Sequence, residues 1–178
     1  VNAVLRKIAD QRDVWPTLPP EEMPDWLRDP IAHAWGNEAV LAIEAVHQAG
    51  APVDFSVKPG KDGPGAALPT GSYRLAGQAQ ISALPGYAEG DWWVQDAAAA
   101  MAVRLLDPQP GEVVVDLCAA PGGKTLQLAA AGAQVTAVDI SGARLARLRE
   151  NLGRTGLSAD VIEADALAWT PVTAPDAI

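Results

Sequence analysis

The stretch from Asp116 to Thr125 reads Asp-Leu-Cys-Ala-Ala-Pro-Gly-Gly-Lys-Thr and concentrates the groups of this chain that could do chemistry. It holds the only thiol, Cys118, a lysine and a glycine pair. Gly122 and Gly123 allow positive φ and a close approach of backbone to ligand, and Pro121 stiffens that approach. From Cys118 to Thr125 the stretch follows the phosphate-binding loop, with Cys118 standing where that motif has its first glycine. Three ligands compete for it. A nucleoside triphosphate would use Lys124 and Thr125, but Cys118 replaces a glycine needed for an unusual turn. A dinucleotide would want Gly-x-Gly-x-x-Gly, which is absent. S-adenosylmethionine carries a sulfonium cation, an ammonium and one carboxylate, and no phosphate.

Three carboxylates weigh on that choice. Asp116 lies near the end of one expected strand, Asp139 ends the next and Asp165 ends a third, so all three are expected to point into one crevice. Asp139 follows the loop by about 20 residues, the spacing at which an acidic side chain accepts from ribose hydroxyls. Asp165 suits the exocyclic amine of an adenine. Such a ring repels a polyphosphate unless Mg²⁺ is present, and it suits a cationic, hydroxyl-rich ligand. On these grounds the expected cofactor is S-adenosylmethionine.

The elements that must position these residues are regular after residue 111. Residues 112–117 form an apolar strand of the kind covered on both faces. Loop 118–123 leads into a helix from Lys124 to about Ala131. Residues 133–139 form a second strand, 141–156 a second helix and 158–165 a third strand. Short connections between alternating strands and helices imply right-handed crossovers and a parallel sheet. Residues 175–178 read as the start of a fourth strand. Three strands and the start of another make an incomplete doubly wound sheet, so the chain is read as part of a longer protein.

Upstream, residues 1–10 suit a helix with Val1, Val4, Leu5 and Ile8 on one stripe. Residues 12–30 form a proline-rich connector whose prolines forbid a long helix, anchored by Trp15, Leu18 and Trp26. Residues 31–50 read as one helix capped by Gly50. Residues 51–90 form a small α+β module with strands in 51–57 and 71–77. Residues 91–111 give a short strand and a helix capped by Asp96 and ended by Pro108 and Pro110. The expected divisions are therefore 1–50, 51–90 and 91–178.

At 178 residues and 49% hydrophobic composition the chain can bury an ample core. No apolar run approaches the roughly 18 residues of a membrane span, and the start of the chain lacks a signal-peptide pattern. A single cysteine rules out an internal disulfide and points to a reducing cytoplasm. The net charge of −9 argues against a protein that coats nucleic acid generically, so any RNA contact must rest on local patches.

Residues 116–125, with Val-Asp-Ile-Ser at 138–141, residues 147–156 and Glu-Ala-Asp at 163–165, resemble the cofactor half of the RNA cytosine-5 methyltransferases. Within these the chain most resembles the bacterial Sun (RsmB-type) small-subunit rRNA enzymes. Residues 84–100 resemble the segment that precedes the Rossmann-like core in that family. Residues 1–9 resemble the last helix of its NusB-like RNA-binding domain. Where the family has a strand with an arginine and an asparagine, this chain has Phe-Ser-Val-Lys-Pro-Gly at 55–60.

The resemblance implies an α/β, Rossmann-like methyltransferase core preceded by helical and small α+β segments. It implies cofactor contacts from Cys118, Ala119, Ala120, Pro121, Gly122, Gly123 and Lys124, with Asp139 at the ribose and Asp165 at the adenine. It implies a small-subunit rRNA partner; no metal and a monomer are also expected. The family's Asp-Ala-Pro-Cys loop and catalytic cysteine fall after Ile178.

Methylating C5 of cytosine needs a thiolate to add at C6. Cys118 opens the ligand loop and has no base beside it in the sequence, so it is read as a small buried residue shaping the cradle. Arg144, Arg147, Arg149 and Arg154 are read as the wet face of a helix. Trp92 and Trp93 are read as core, with a base-stacking role as the alternative. Gln95 and Asp96 are candidates to approach a substrate, although a helix cap explains Asp96 equally well. His33 and His47 are too isolated for a metal pair. Two other functions stay open: a ribose 2′-O-methyltransferase, whose loop also contains Ala-Ala-Pro-Gly-Gly, and a cofactor-binding assembly factor without catalysis.

Overall fold

The computed structural model describes residues 2–14, 17–19, 21–77 and 79–178. Val1, Trp15, Pro16, Pro20 and Gln78 lie outside the described residues, and with them the expected roles of Val1 in a stripe and Trp15 as an anchor. The chain divides into two compact units, Val1–Ala51 and Pro52–Ile178. No described helix is long and apolar enough to cross a membrane.

The first unit contains α1 (Asn2–Ala9), α2 (Asp25–Trp35) and α3 (Asn37–Ala49). The apolar stripe on α1 forms, but Val4, Leu5 and Ile8 are exposed. The helix expected over 31–50 is two helices. Gly36 adopts φ +84° and ψ 164°, a backbone turn that leaves the helical path and starts a new one. The first of the two begins at Asp25 and carries Pro30 within it, at the cost of one backbone bond, so the connector is shorter than its prolines suggest. Leu18 and Trp26 are exposed instead of anchored. What joins the segments is Glu44, whose Oε1 accepts from the Met23 amide at 3.0 Å and from Arg28 Nε at 2.9 Å. Gly50 caps α3 as expected.

The second unit begins with an antiparallel sheet. Its strands are β1 (Asp54–Val57), β2 (Ala66–Ala67), β3 (Tyr73–Arg74) and β4 (Trp92–Val94), in the order β2-β3-β1-β4. The short strand at Trp92 therefore pairs with β1 and not with the parallel sheet. Its two indoles point to opposite faces, and both are core. Trp92 stacks edge-on against Phe55 at 4.7 Å and donates to the Pro85 carbonyl. Trp93, 2% exposed, joins Ala119, Leu126 and Leu148. Neither is open to a base.

Helix α4 (Ala97–Leu106) leaves this sheet with Asp96 accepting from the amides of Ala98 and Ala99, the cap the sequence promised. Then come β5 (Val113–Leu117), α5 (Gly123–Ala130), β6 (Gln134–Asp139), α6 (Gly142–Thr155) and β7 (Asp160–Glu163). The three strands are parallel in the order β5-β6-β7. Ala177 bridges Val114 in parallel on the far side of β5, so the strand order reverses at β5. Ligands in open α/β sheets bind beyond the carboxyl ends of the strands at such a reversal.

The continuous apolar run of β5 led to the expectation of cover on both faces. Helices cover one: Val114 packs with Val103 and Leu128. On the other, Val113 and Val115 line an open trough of about 610 Å³ with Thr136, Ile162 and Trp169.

Asp54 ties the antiparallel sheet to α4. Buried on β1, its carboxylate accepts from Arg74 Nε at 2.7 Å, from Arg74 Nη2 at 2.8 Å and from the Ala97 amide at 3.2 Å. The Arg74 bonds, with the Ala97 amide, hold the Asp54 carboxyl below its ordinary range despite its burial. A carboxyl depressed in the folded state contributes stability that is present above the unfolded value, about pH 4, and lost as pH falls through the folded one. Asp54→Asn should lower the melting temperature at pH 7, and the gap to the parent should close on acidification. Thermal unfolding followed between pH 7 and pH 2 checks this.

Candidate ligand site at the switch of the parallel sheet

The loop leaves β5 at Cys118, which adopts φ +57°, and passes a cis Ala120–Pro121 peptide into Gly122 at φ +109°. Ala119 and Ala120 turn inward and are buried in the core with Leu126 and Leu148. Because the two alanines take the inner positions, Cys118 is exposed, which corrects the expectation of a buried thiol. Gly122 sits directly on α6, where a Cβ would collide with Leu148 Cδ1. It is also the N-cap of α5 and has no side chain of its own to cap that helix. Free first-turn amides favour an electron-rich ligand group.

Asp139, 3% exposed, organises the loop from beneath. Its Oδ2 accepts from the Ala120 amide at 3.1 Å and its Oδ1 from the Ser141 amide at 2.9 Å. Each oxygen keeps a further lone pair for a ligand hydroxyl. From α6, Arg144 donates to the Ala120 carbonyl at 2.6 Å and stands 3.7 Å from Asp139 Oδ2. Asn151 donates to the Pro121 carbonyl. Arg144 is therefore a clasp on the loop and not merely part of a wet face. Arg154 also departs from that reading: it donates to the Tyr87 and Trp92 carbonyls and lies 4.2 Å from the centre of the Tyr87 ring. Arg147 pairs with Glu150 on the surface as expected.

Asp116 accepts from the Thr125 hydroxyl at 2.6 Å. Thr125 is completely buried, so the hydroxyl that would hold Mg²⁺ in a phosphate loop is turned inward and occupied. Burial pushes the Asp116 carboxyl up, Asp139 adds to that rise, and Thr125 and Lys124 partly offset it. Exposed Lys124 lines a crevice of about 290 Å³ with Asp116, Leu117 and Ile178.

The structure brings Asp116, Asp139 and the loop together, but places Asp165 differently from expectation. Strand β7 ends at Glu163, which is paired in register with Asp139. Glu163 points its carboxylate at Gly142 in the first turn of α6, where a Cβ would meet it. Asp165 is exposed in the following turn, accepting from the Leu167 amide at 2.9 Å. The third strand-end carboxylate on the helical face is thus Glu163. Period-two alternation from Val161, which packs inward, carries that face to Glu163, and the end of the strand there leaves Asp165 in the turn.

A parallel sheet with a glycine loop at its point of reversal and carboxylates along its strand ends defines a Rossmann-like methyltransferase unit. The methyltransferase homolog protein from Pyrococcus horikoshii shares this fold, with a TM-score of 0.67 and 26% identity over 82% of this chain and 54% of that one. Residues 103–175 match the family model described as 16S rRNA methyltransferase RsmB/F. Ribosomal RNA small subunit methyltransferase B of Klebsiella pneumoniae is 52% identical over 94 residues, 52% of this chain and 22% of the relative. The protein of the same description from Pectobacterium carotovorum is 38% identical over 162 residues, 80% of this chain and 37% of the relative. The chain therefore spans well under half the length of these curated relatives.

The raised Asp116 carboxyl makes a prediction with a definite sign. Between the unfolded value, about pH 4, and the folded one, the folded state binds more protons, so ionising Asp116 costs stability as pH rises. Asp116→Asn keeps an acceptor for Thr125 and removes that cost. The variant should melt above the parent at pH 7 and converge with it below about pH 4, as read by thermal unfolding across that range.

Proposed function

We propose that this chain supplies the cofactor-binding part of an S-adenosylmethionine-dependent enzyme that methylates C5 of a cytosine in small-subunit rRNA, acting in the cytoplasm. The observation that carries the reading is the inward Thr125–Asp116 bond beneath a loop that otherwise follows the phosphate-binding pattern. It removes the hydroxyl that a magnesium–nucleotide complex requires and leaves a carboxylate in its place, which favours a cation over a polyphosphate.

The fit to the cofactor rests on the donor set. Gly122 and Gly123 and the uncapped first turn of α5 offer close backbone amides to the amino-acid carboxylate. Asp116 and Asp139 supply negative charge for the ammonium and acceptors for ribose hydroxyls, and Asp165 or Glu163 supplies an acceptor for the adenine amine. Ala119, Ala120 and Pro121 shape the cradle, with Cys118 and Lys124 at its rim. When bound, S-adenosylmethionine supplies an electrophilic methyl group.

C5 of an unactivated cytosine is a poor carbon nucleophile, so the chemistry requires a thiolate to add at C6 and a base to remove the C5 proton before the thiolate is eliminated. The reading assigns that thiol to residues outside these 178. Cys118 stands where β5 turns into the loop, with its neighbour Ala119 bonded to the Val138 carbonyl, and it serves the cradle.

Titration calorimetry should show S-adenosylhomocysteine binding without Mg²⁺ and no binding of ATP with Mg²⁺; the reverse result would sink the reading. Gly122→Ala should weaken binding by more than about tenfold, because the new methyl meets Leu148 at a φ that side chains rarely adopt. For the full-length protein, labelled methyl transfer to unmodified small-subunit rRNA followed by nucleoside analysis should yield 5-methylcytidine. A 2′-O-methylated nucleoside would identify the ribose-directed chemistry instead, and binding without transfer would identify an assembly factor.

A further inference from the structure

A buried chain of side-chain hydrogen bonds runs from the antiparallel sheet to the first residue of α5. Trp93 Nε1 donates both to Gln95 Oε1 at 3.0 Å and to the Gly123 carbonyl at 3.1 Å. Gln95 Nε2 donates to Gln127 Oε1 at 3.0 Å, and Gln127 Nε2 donates to the Ala100 carbonyl at 3.0 Å. Gln95 is 6% exposed and Trp93 2%, so no bulk water can replace these partners. The Gln95 backbone is itself fixed, its amide donating to the Asp54 carbonyl at 3.0 Å. A Cβ on Gly123 would lie 3.2 Å from Gln95 Cγ, so the glutamine also fills the space against the loop's second glycine.

These contacts reach the loop at Gly123, whereas the clasp made by Arg144 and Asn151 holds it at Ala120 and Pro121. They touch the one residue that is both the end of the loop and the first turn of the helix. Buried polar chains of this kind hold a single geometry when every member is satisfied, and each lost member strands another. We propose that Gln95, acting with Trp93 and Gln127, is a positioning residue that sets the first turn of α5 and so the direction of the loop's ligand-facing amides. The antiparallel sheet thereby governs affinity at a site that none of these three side chains enters. The part of the inference that concerns cofactor affinity rests on the function proposed above; the part that concerns loop order does not.

Amide hydrogen exchange on the 178-residue protein without ligand separates the two parts. Gln95→Met keeps the bulk and removes both side-chain bonds. It should speed exchange at residues 119–126 by about tenfold or more while leaving residues 134–139 of β6 at the parent rate. Trp93→Phe removes the donation to Gln95 and Gly123 together with part of the buried ring, and should act in the same direction. It provides the test if the methionine variant does not fold.

Unchanged exchange at 119–126 would overturn the proposal. A rise spread equally over β6 would also overturn it, since that marks general loosening. S-adenosylhomocysteine affinity measured on the same variants should fall by about tenfold. If the parent protein fails to bind that ligand, the cofactor reading falls while the exchange data still decide whether Gln95 orders the loop.

Discussion

The arrangement at the switch of the parallel sheet depends on one buried carboxylate. Asp139 ends β6, accepts from the Ala120 amide in the loop after β5, and accepts from the Ser141 amide at the start of α6. The loop, β6 and α6 are thus tied at a single pair of oxygens. Buried charge of this sort is tolerated only when its partners are supplied, and here backbone amides and a nearby guanidinium supply them. The same bonds that stabilise the charge fix the loop. With Ala120 held down, Gly122 is brought onto Leu148, and Gly123 meets Trp93 and Gln95. The shape of the ligand-facing surface follows from where that carboxylate lies.

Charge follows the same logic. A loop with free helical amides attracts anions by default. Asp116 under its first turn and Asp139 beside it counter that default and give the crevice a mixed character. Asp116 bonds to the neutral Thr125 hydroxyl, and its burial pushes the carboxyl up further than Thr125 and Lys124 can offset. The loop therefore offers donors along its backbone and negative charge at its base. An amino-acid head group, with one carboxylate and one ammonium, presents the complementary pair.

Much of this fold was legible in the sequence because its signals were local. Alternating strands and helices after residue 111, the Asp96 cap, the Gly50 cap and the glycine loop all depend on residues within a few positions of one another. The misreadings came where distant residues decide. Gly36 could have been carried inside a helix, and only its left-handed backbone divides α2 from α3. Cys118 looked like a buried small residue until the adjacent alanines took the core positions. Arg144 and Arg154 fell on a charged helix, and nothing in that pattern reveals that their guanidinium groups reach carbonyls 24 and 62 residues back. Asp165 was expected at a strand end because the strand was drawn two residues too long; the strand stops at Glu163 and leaves Asp165 in the following turn.

Helix α6 is gripped near both ends. Arg144 holds the ligand loop from its first turn, and Arg154 holds the segment leading into β4 from its last. Between them the helix runs about 15 Å, and each added or removed residue would turn one arginine by about 100° relative to the other. A change of length that leaves one grip intact swings the other away from its carbonyls. The 14-residue span of α6 is therefore a spacer of fixed phase as well as fixed length. Insertions and deletions in this fold belong in its exposed turns, such as the loop after β1, and not in the rod that sets two distant backbones at a common angle.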